Sequence, residues 1–104
     1  MTDFQQLMQM GQQLQARMAK LQSELEARVI TASSGGGMVT ATVDGKGHVT
    51  KIAIDETVVD PRDVEMLEDL VLAAVSEAQG KAQREYESEM RKAAGGLPIQ
   101  LPGL

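Results

Sequence analysis

Apolar residues recur along the first quarter of the chain at intervals of three and four: Phe4, Leu7, Leu14, Met18, Leu21 and Leu25, with Gly11 in the single gap. That interval keeps all of them on one stripe of an α-helix over about three heptads. The residues between them are mostly Gln, Arg, Lys and Glu, all good helix formers, so the spacing predicts a helix over 3–26. Such a stripe serves two arrangements equally well, an amphipathic helix lying on its own sheet or a coiled-coil seam packed partly against a partner's helix.

After Glu26 the period falls to two. Residues 28–33 are short and β-branched, Ser34-Gly35-Gly36-Gly37 reads as a connector, and in 38–43 the residues Val39, Ala41 and Val43 share one face. Asp44-Gly45-Lys46-Gly47 has the composition of a hairpin turn, because glycine accepts positive φ and aspartate tolerates turn geometry. A third strand over 48–54 pairs back, with Thr50, Ile52 and Ile54 expected on one face and Val49, Lys51 and Ala53 on the other. The sheet should then have one face covered by helix and one more polar face.

A second helix is announced by Asp60-Pro61, with Asp60 in the capping role, Pro61 at the first helical position, and Asp63 and Glu65 at the positive end of the dipole. Val64, Leu67, Leu70, Val71, Ala74, Val75 and Ala78 form a wide apolar stripe that narrows to Ala82, Tyr86, Met90 and Ala93, giving a helix over 61–93. Gly80 inside it costs about 1 kcal/mol relative to alanine. Gly95-Gly96 ends the helix, and 95–104, broken by Pro98 and Pro102, is expected to be a flexible tail. The predicted class is α+β: a single domain over 1–94 in the order α-β-β-β-α, a three-stranded antiparallel meander flanked by two long helices.

Length raises a quaternary question. A helix of some 33 residues is about 50 Å long, whereas a compact domain of 100 residues has a radius of gyration near 13 Å. One subunit cannot cover it, and its apolar stripe calls for burial. A homodimer with projecting helical arms answers both needs. Its expected interface is Leu14, Met18 and Leu21 on the first helix with Leu67, Leu70, Val71, Ala74 and Val75 on the second.

Composition narrows the function. There is no cysteine, which excludes disulfides, thiolate metal sites and a thiol nucleophile and fits a reducing compartment. Met1 to Gln15 lacks the basic and apolar regions of a signal peptide, and no apolar run approaches a membrane span, so a cytoplasmic location is expected. No catalytic constellation appears. The one histidine, His48, sits beside a hairpin turn with no cysteine, second histidine or patterned serine near it, and reads as solvent-facing. Glu65, Glu68, Asp69 and Glu77 lack the histidine of a Glu-x-x-His metal site, and the Gly35–Gly37 connector lacks the Lys-Ser/Thr of a phosphate loop. The seven methionines read as gap-filling core. Neither enzyme chemistry, cofactor, metal nor small-molecule substrate is expected.

The net charge of −5 is unevenly placed: residues 1–54 carry five Lys/Arg against four Asp/Glu, and residues 55–104 carry five against eleven. An acidic total opposes a salt-resistant grip on nucleic acid, and with Phe4 and Tyr86 as the sole aromatics there is no stacking platform for single strands. A nucleic-acid partner should therefore be duplex, held by its backbone. From charge alone the cations read as solubilising groups, since Arg84 and Arg91 are interleaved with Glu85, Glu87 and Glu89.

Several strings shift that balance. The opening Met8-Gln9-Met10-Gly11-Gln12-Gln13-Leu14-Gln15, the hairpin Val43-Asp44-Gly45-Lys46-Gly47, Ile54-Asp55, the segment from Asp60-Pro61 through Leu70-Val71-Leu72-Ala73-Ala74-Val75, and the closing Gly95-Gly96-Leu97-Pro98 occur in this order. Together they resemble the YbaB/EbfC family of bacterial nucleoid-associated proteins over almost the whole chain. Ser76 stands where family members often show Asn, and Gly80 departs from the usual helix former. The resemblance implies a tweezer-shaped homodimer that binds double-stranded DNA at the nucleoid with limited sequence preference and alters its conformation. The family has no short DNA-reading motif to transfer. The expected contacts are therefore chosen by charge and exposure: Arg17, Lys20 and Arg28 at the first helix, and Arg84, Arg91 and Lys92 on the second. The competing expectation is a dimeric adaptor whose seam and acidic helix engage protein partners, with incidental DNA affinity.

Overall fold

The fold is built around a stripe of alanines on a long helix. The computed structural model describes residues 2–95, in the order α1 (Thr2–Glu26), β1 (Ile30–Ser34), β2 (Val39–Val43), β3 (Val49–Ile54) and α2 (Val64–Ala93). Short 3-10 turns lie at Gly35–Gly37 and Glu56–Val58. The expected tail from 96 to 104 falls outside the described residues. The strands form one antiparallel sheet in the order β1-β2-β3. Ala74, Ala78 and Ala82, four residues apart on α2, are fully buried against Ile30 and Ala32 of β1 and Val39, Ala41 and Val43 of β2. Their small side chains let the helix axis approach the sheet, so the core is thin and closely packed. Leu67, Leu70, Val71 and Val75 flank that line half-buried. The opposite face of the sheet is the polar one, bearing Thr31, Ser33, Thr40, Thr42 and Lys51.

Two local readings are corrected. α2 begins at Val64, not at 61, and its cap is Asp63, whose carboxylate accepts from the Met66 N–H at 3.2 Å. Asp60 is occupied elsewhere: its carboxylate accepts from the Arg62 N–H at 2.9 Å, while its carbonyl accepts from the Asp63 N–H at 2.9 Å. Pro61 thus occupies the second position of a β-turn, which favours the same fixed φ as the first helical position. The second correction concerns β3. Thr42 pairs with Lys51 but Val43 pairs with Val49, so a bulge at Thr50 brings Val49 onto the same face as Ile52 and Ile54. The strands are also displaced from 28–33, 38–43 and 48–54. β1 starts only at Ile30, because the Ala27 and Arg28 N–H groups still bond back to Ser23 and Leu25 of α1.

Three contacts set the two helices against each other. The Gly45 N–H donates to the Glu26 carbonyl at 3.3 Å, the Gln79 amide donates to the Gly47 carbonyl at 2.9 Å, and the Gln22 amide donates to the Tyr86 hydroxyl at 2.9 Å. Moving away from the hairpin, α1 is read backwards and α2 forwards, so the two run antiparallel. Leu25 and Met90 are buried outside the sheet core, on the parts of α1 and α2 that run side by side. α2 ends seven residues past Tyr86, so residues of α1 before about position 15 have no α2 turn opposite them, an overhang of about 18 Å. The molecule measures 75 × 22 × 17 Å with a radius of gyration of 19.7 Å, against about 13 Å for a compact chain of this size.

The hairpin turn is where backbone space is tightest. A Cβ on Gly45 would overlap the Leu25 carbonyl oxygen. Asp44 closes the same turn, accepting from the N–H groups of Lys46 at 2.9 Å and His48 at 3.0 Å. The bond from the His48 N–H is the main reason the Asp44 carboxyl titrates below its ordinary value; Asp55 is lowered chiefly by the Thr57 hydroxyl and Asp60 by the Arg62 N–H.

Two predictions follow from this geometry. Gly45→Ala should lower the unfolding free energy by about 2–3 kcal/mol, because α1 must part from the hairpin. Gly80→Ala, which meets only the flexible Arg84 guanidinium, should raise it by up to about 1 kcal/mol; urea denaturation compares them. The second concerns acid. Carboxyls depressed in the folded state stabilise it above their ordinary titration range, and that contribution disappears as pH falls through the lower folded values. Stability should therefore decline below about pH 4. Asp44→Ala should lose stability at pH 7 and converge on the parent protein near pH 2.

Candidate nucleic-acid interface

Charge along the chain is segregated by element. Residues 4–23, most of α1, hold Arg17 and Lys20 and no acid; residues 55–80, from the end of β3 through the first half of α2, hold eight acids against Arg62 alone. Residues 81–93 return four cations against three acids. Residues 4–23 of α1 and residues 81–93 of α2 together carry six cations against three acids, and form the cationic part of an acidic molecule.

The six residues expected to meet DNA divide into two groups. Arg17, Lys20 and Arg91 are exposed and have no salt bridge among the described residues. Arg28 lies 3.9 Å from Glu85, Arg84 lies 3.5 Å from Glu77, and Lys92 lies 3.6 Å from Glu89. These pairs are exposed and worth roughly 0–1 kcal/mol each, so they yield readily to a phosphate. Two further cations have structural tasks: Lys46 sits 3.2 Å from Glu26 beside the hairpin, and the Lys81 ammonium donates to the Thr31 carbonyl at 2.9 Å, tying α2 to β1. Sequence reasoning counted Lys51 among the cations without nominating it; it stands exposed on the polar sheet face, a position given by its pairing with Thr42.

The residues expected at a dimer interface also separate. Leu14 is exposed, Met18 and Leu21 are half-buried on α1, and Leu67, Leu70, Val71 and Val75 are half-buried on α2. Ala74 is a correction: at 0 % exposure it is spent on the protomer's own core and has no surface to offer a partner. What sequence reasoning missed is the β3 side of α2. Neighbouring strands lie about 4.8 Å apart and a helix is about 10 Å wide, so one helix covers two strands of three. β3 is left out. Its helix-facing Val49 and Ile54 stay exposed, as do Val64 and Leu72 of α2, the last at 65 %. The bond from Gln79 to Gly47 marks the α2 side that faces β3, and Val75 four residues back, Val71 and Leu72 four and three before that, and Val64 two turns further continue it toward the helix N-terminus. Strand order and the two-strand width of a helix were the signals that pointed there.

His48 is exposed, immediately ahead of β3, with Nδ1 at 3.2 Å from an Asp44 carboxylate oxygen. Among the described residues no group of three or more His, Cys, Asp and Glu lies close enough to hold a metal ion. No helix among them is long and apolar enough to cross a membrane.

The sequence profile of the YbaB/EbfC DNA-binding family matches residues 1–97. A nucleoid-associated protein of Clostridium acetobutylicum is 50% identical over 98 residues, covering 94% of this chain and 86% of its own. A nucleoid-associated protein of Rhodospirillum rubrum is 40% identical over 104 residues, covering 100% and 96%. The crystal structure of an uncharacterized protein from Helicobacter pylori shares the fold, with a TM-score of 0.73, 20% identity, and coverage of 86% of this chain and 94% of that one. By its α-β-β-β-α order and the extent of this sequence agreement, the chain belongs to the YbaB/EbfC DNA-binding family.

Proposed function

We propose that this protein is a nucleoid-associated, cytoplasmic homodimer that holds duplex DNA between cationic helical arms and alters its path. The observation that carries the reading is the segregation of charge, with an acid-free stretch over 4–23 and with Arg17, Lys20 and Arg91 free of salt bridges among the described residues, set apart from the acidic residues 55–80. Duplex DNA is held chiefly through its phosphates, and an acidic body repels it, so the arms are presented first. The names of the relatives support the same partner. With no base-edge contact required for this grip, sequence preference is limited and a role in nucleoid organisation and gene regulation follows from altered DNA shape.

Pairing of two copies rests on the uncovered apolar ground between β3 and α2. Val49, Ile52 and Ile54 with Val64, Val71, Leu72 and Val75 form a patch on one side of the molecule, self-complementary in an arrangement with two-fold symmetry. Doubling the chain doubles Arg17, Lys20 and Arg91 and sets two arms for one duplex.

Sedimentation should give a species of twice 11.2 kDa at micromolar concentration, and Leu72→Asp with Val71→Asp should reduce it to the single-chain mass with the helical signal retained. A folded single-chain species in the parent protein overturns the dimer. With six phosphates neutralised per dimer, log affinity should fall against log salt with a slope of about −5. Arg17→Glu with Lys20→Glu should abolish binding to a duplex in an anisotropy titration; unchanged binding would favour the protein-adaptor reading instead.

A further inference from the structure

The overhanging part of α1 is as unusual in its polar face as in its charge. Gln5, Gln9 and Gln12 recur at intervals of four and three, and Ala16 and Lys20 continue the same face; Gln6, Gln13 and Arg17 border it. Leu7 and Leu14 mark the opposite side, while the exposed Phe4 and Met8 border the glutamine row on its other flank. All of these glutamines are exposed. Among the described residues none of their side chains makes a hydrogen bond within the protein, whereas Gln22, Gln79 and Gln83 all do. The overhang therefore presents a row of unused amides with no carboxylate between Phe4 and Ser23.

A side-chain amide pairs its donor and acceptor with the N6 amino group and N7 of adenine in the major groove, and no other base edge there offers that combination to it as well. The groove is about 12 Å wide and an α-helix with its side chains is 10–12 Å across, so a helix without a neighbour fits it. Beyond about position 15, α1 has such freedom; closer to the sheet α2 lies alongside. Lys20 and Arg17 follow one to two turns further along, at the distance where the helix meets the flanking phosphates.

We infer that the α1 overhang enters the major groove and that Gln5, Gln9 and Gln12 read adenine edges there, giving the protein a mild preference for A·T-containing duplex. This inference rests on the DNA-binding reading above and assigns its sequence-dependent part to amides, leaving the salt-dependent part with Arg17, Lys20 and Arg91. The amides are independent of the ion pairs, so the two parts separate by mutation.

The test compares duplexes of equal length, A·T-rich and G·C-rich, by fluorescence anisotropy at fixed salt, with the full chain and with Gln5→Ala/Gln9→Ala/Gln12→Ala. Alanine is a better helix former than glutamine, so the variant keeps α1. The parent protein should favour the A·T-rich duplex about fivefold, a size set by one good amide–adenine pair. The variant should bring the ratio to near one with an unchanged salt slope. Replacing adenine by 7-deazaadenine removes the N7 acceptor and leaves the minor groove as it was, so it should erase the parent's preference too. A preference that survives either change, or binding with no preference at all, overturns the inference while leaving the phosphate grip standing. Absence of duplex binding at low salt overturns both.

Discussion

One helix is too narrow for three strands, and most of this molecule follows from that mismatch. Ala74, Ala78 and Ala82 bring α2 down onto β1 and β2, where Val39, Ala41 and Val43 lose all contact with water. Larger residues on that line would lift the helix and open voids beneath it, at a cost that grows with the space left unfilled. The closeness that makes the core tight also fixes the helix over two strands. β3 keeps its pairing with β2 but gains little cover, so its apolar side remains a surface. A protein of this size buries a small core to begin with, and apolar ground left open in this way is what association with a second copy removes.

The same placement generates the arm. α2 runs on past the sheet because its buried line, ending at Ala82, gives way to Tyr86 and Met90, which lie where α1 passes. The hairpin holds α1 by a backbone approach, with the Lys46–Glu26 ion pair beside it: only at a glycine can the chain come as close to the Leu25 carbonyl as Gly45 does. Held at one end by the hairpin and along its second half by α2, α1 leaves its first half free. Rigidity is therefore graded along one helix, from a fixed base at Leu25 to an unaccompanied tip at Phe4.

Much of this was legible in the residues. The change of period from 3.5 to 2 and back located every element, since amphipathic patterns register which face meets a core. The ends of elements were less legible, because different local structures share the same chemistry. Asp60-Pro61 satisfies a β-turn as well as a helix start, and Asp63 was available as an equally good cap three residues later. The bulge at Thr50 left no mark in a regular alternation of Thr and apolar residues, so the side on which Val49 lies was read wrongly. Ala74 shows the other limit. A wide apolar stripe tells that a helix is buried, but the division between the protomer's own sheet and a partner depends on where the third strand falls.

The candidate site was legible in its charges and not in their partners. Counting cations along the chain ranks Arg17 with Arg84, yet Arg84 reaches Glu77 seven residues back across two turns while Arg17, with Glu24 at the same spacing ahead of it, makes no salt bridge among the described residues. This distinction matters more than net charge for a polyanion, because an ion pair must be broken before its cation can release a counterion from DNA, and a free cation pays no such toll. A chain with a total of −5 can then bind a duplex through the acid-free run over 4–23, provided the acids of the body lie far enough from it. At physiological salt the Debye length is about 8 Å, and the molecule is 75 Å long. Carboxylates near the start of α2 are separated from the α1 overhang by several Debye lengths along the helix, so they orient the protein in the approach and weigh little once the overhang has met the phosphates.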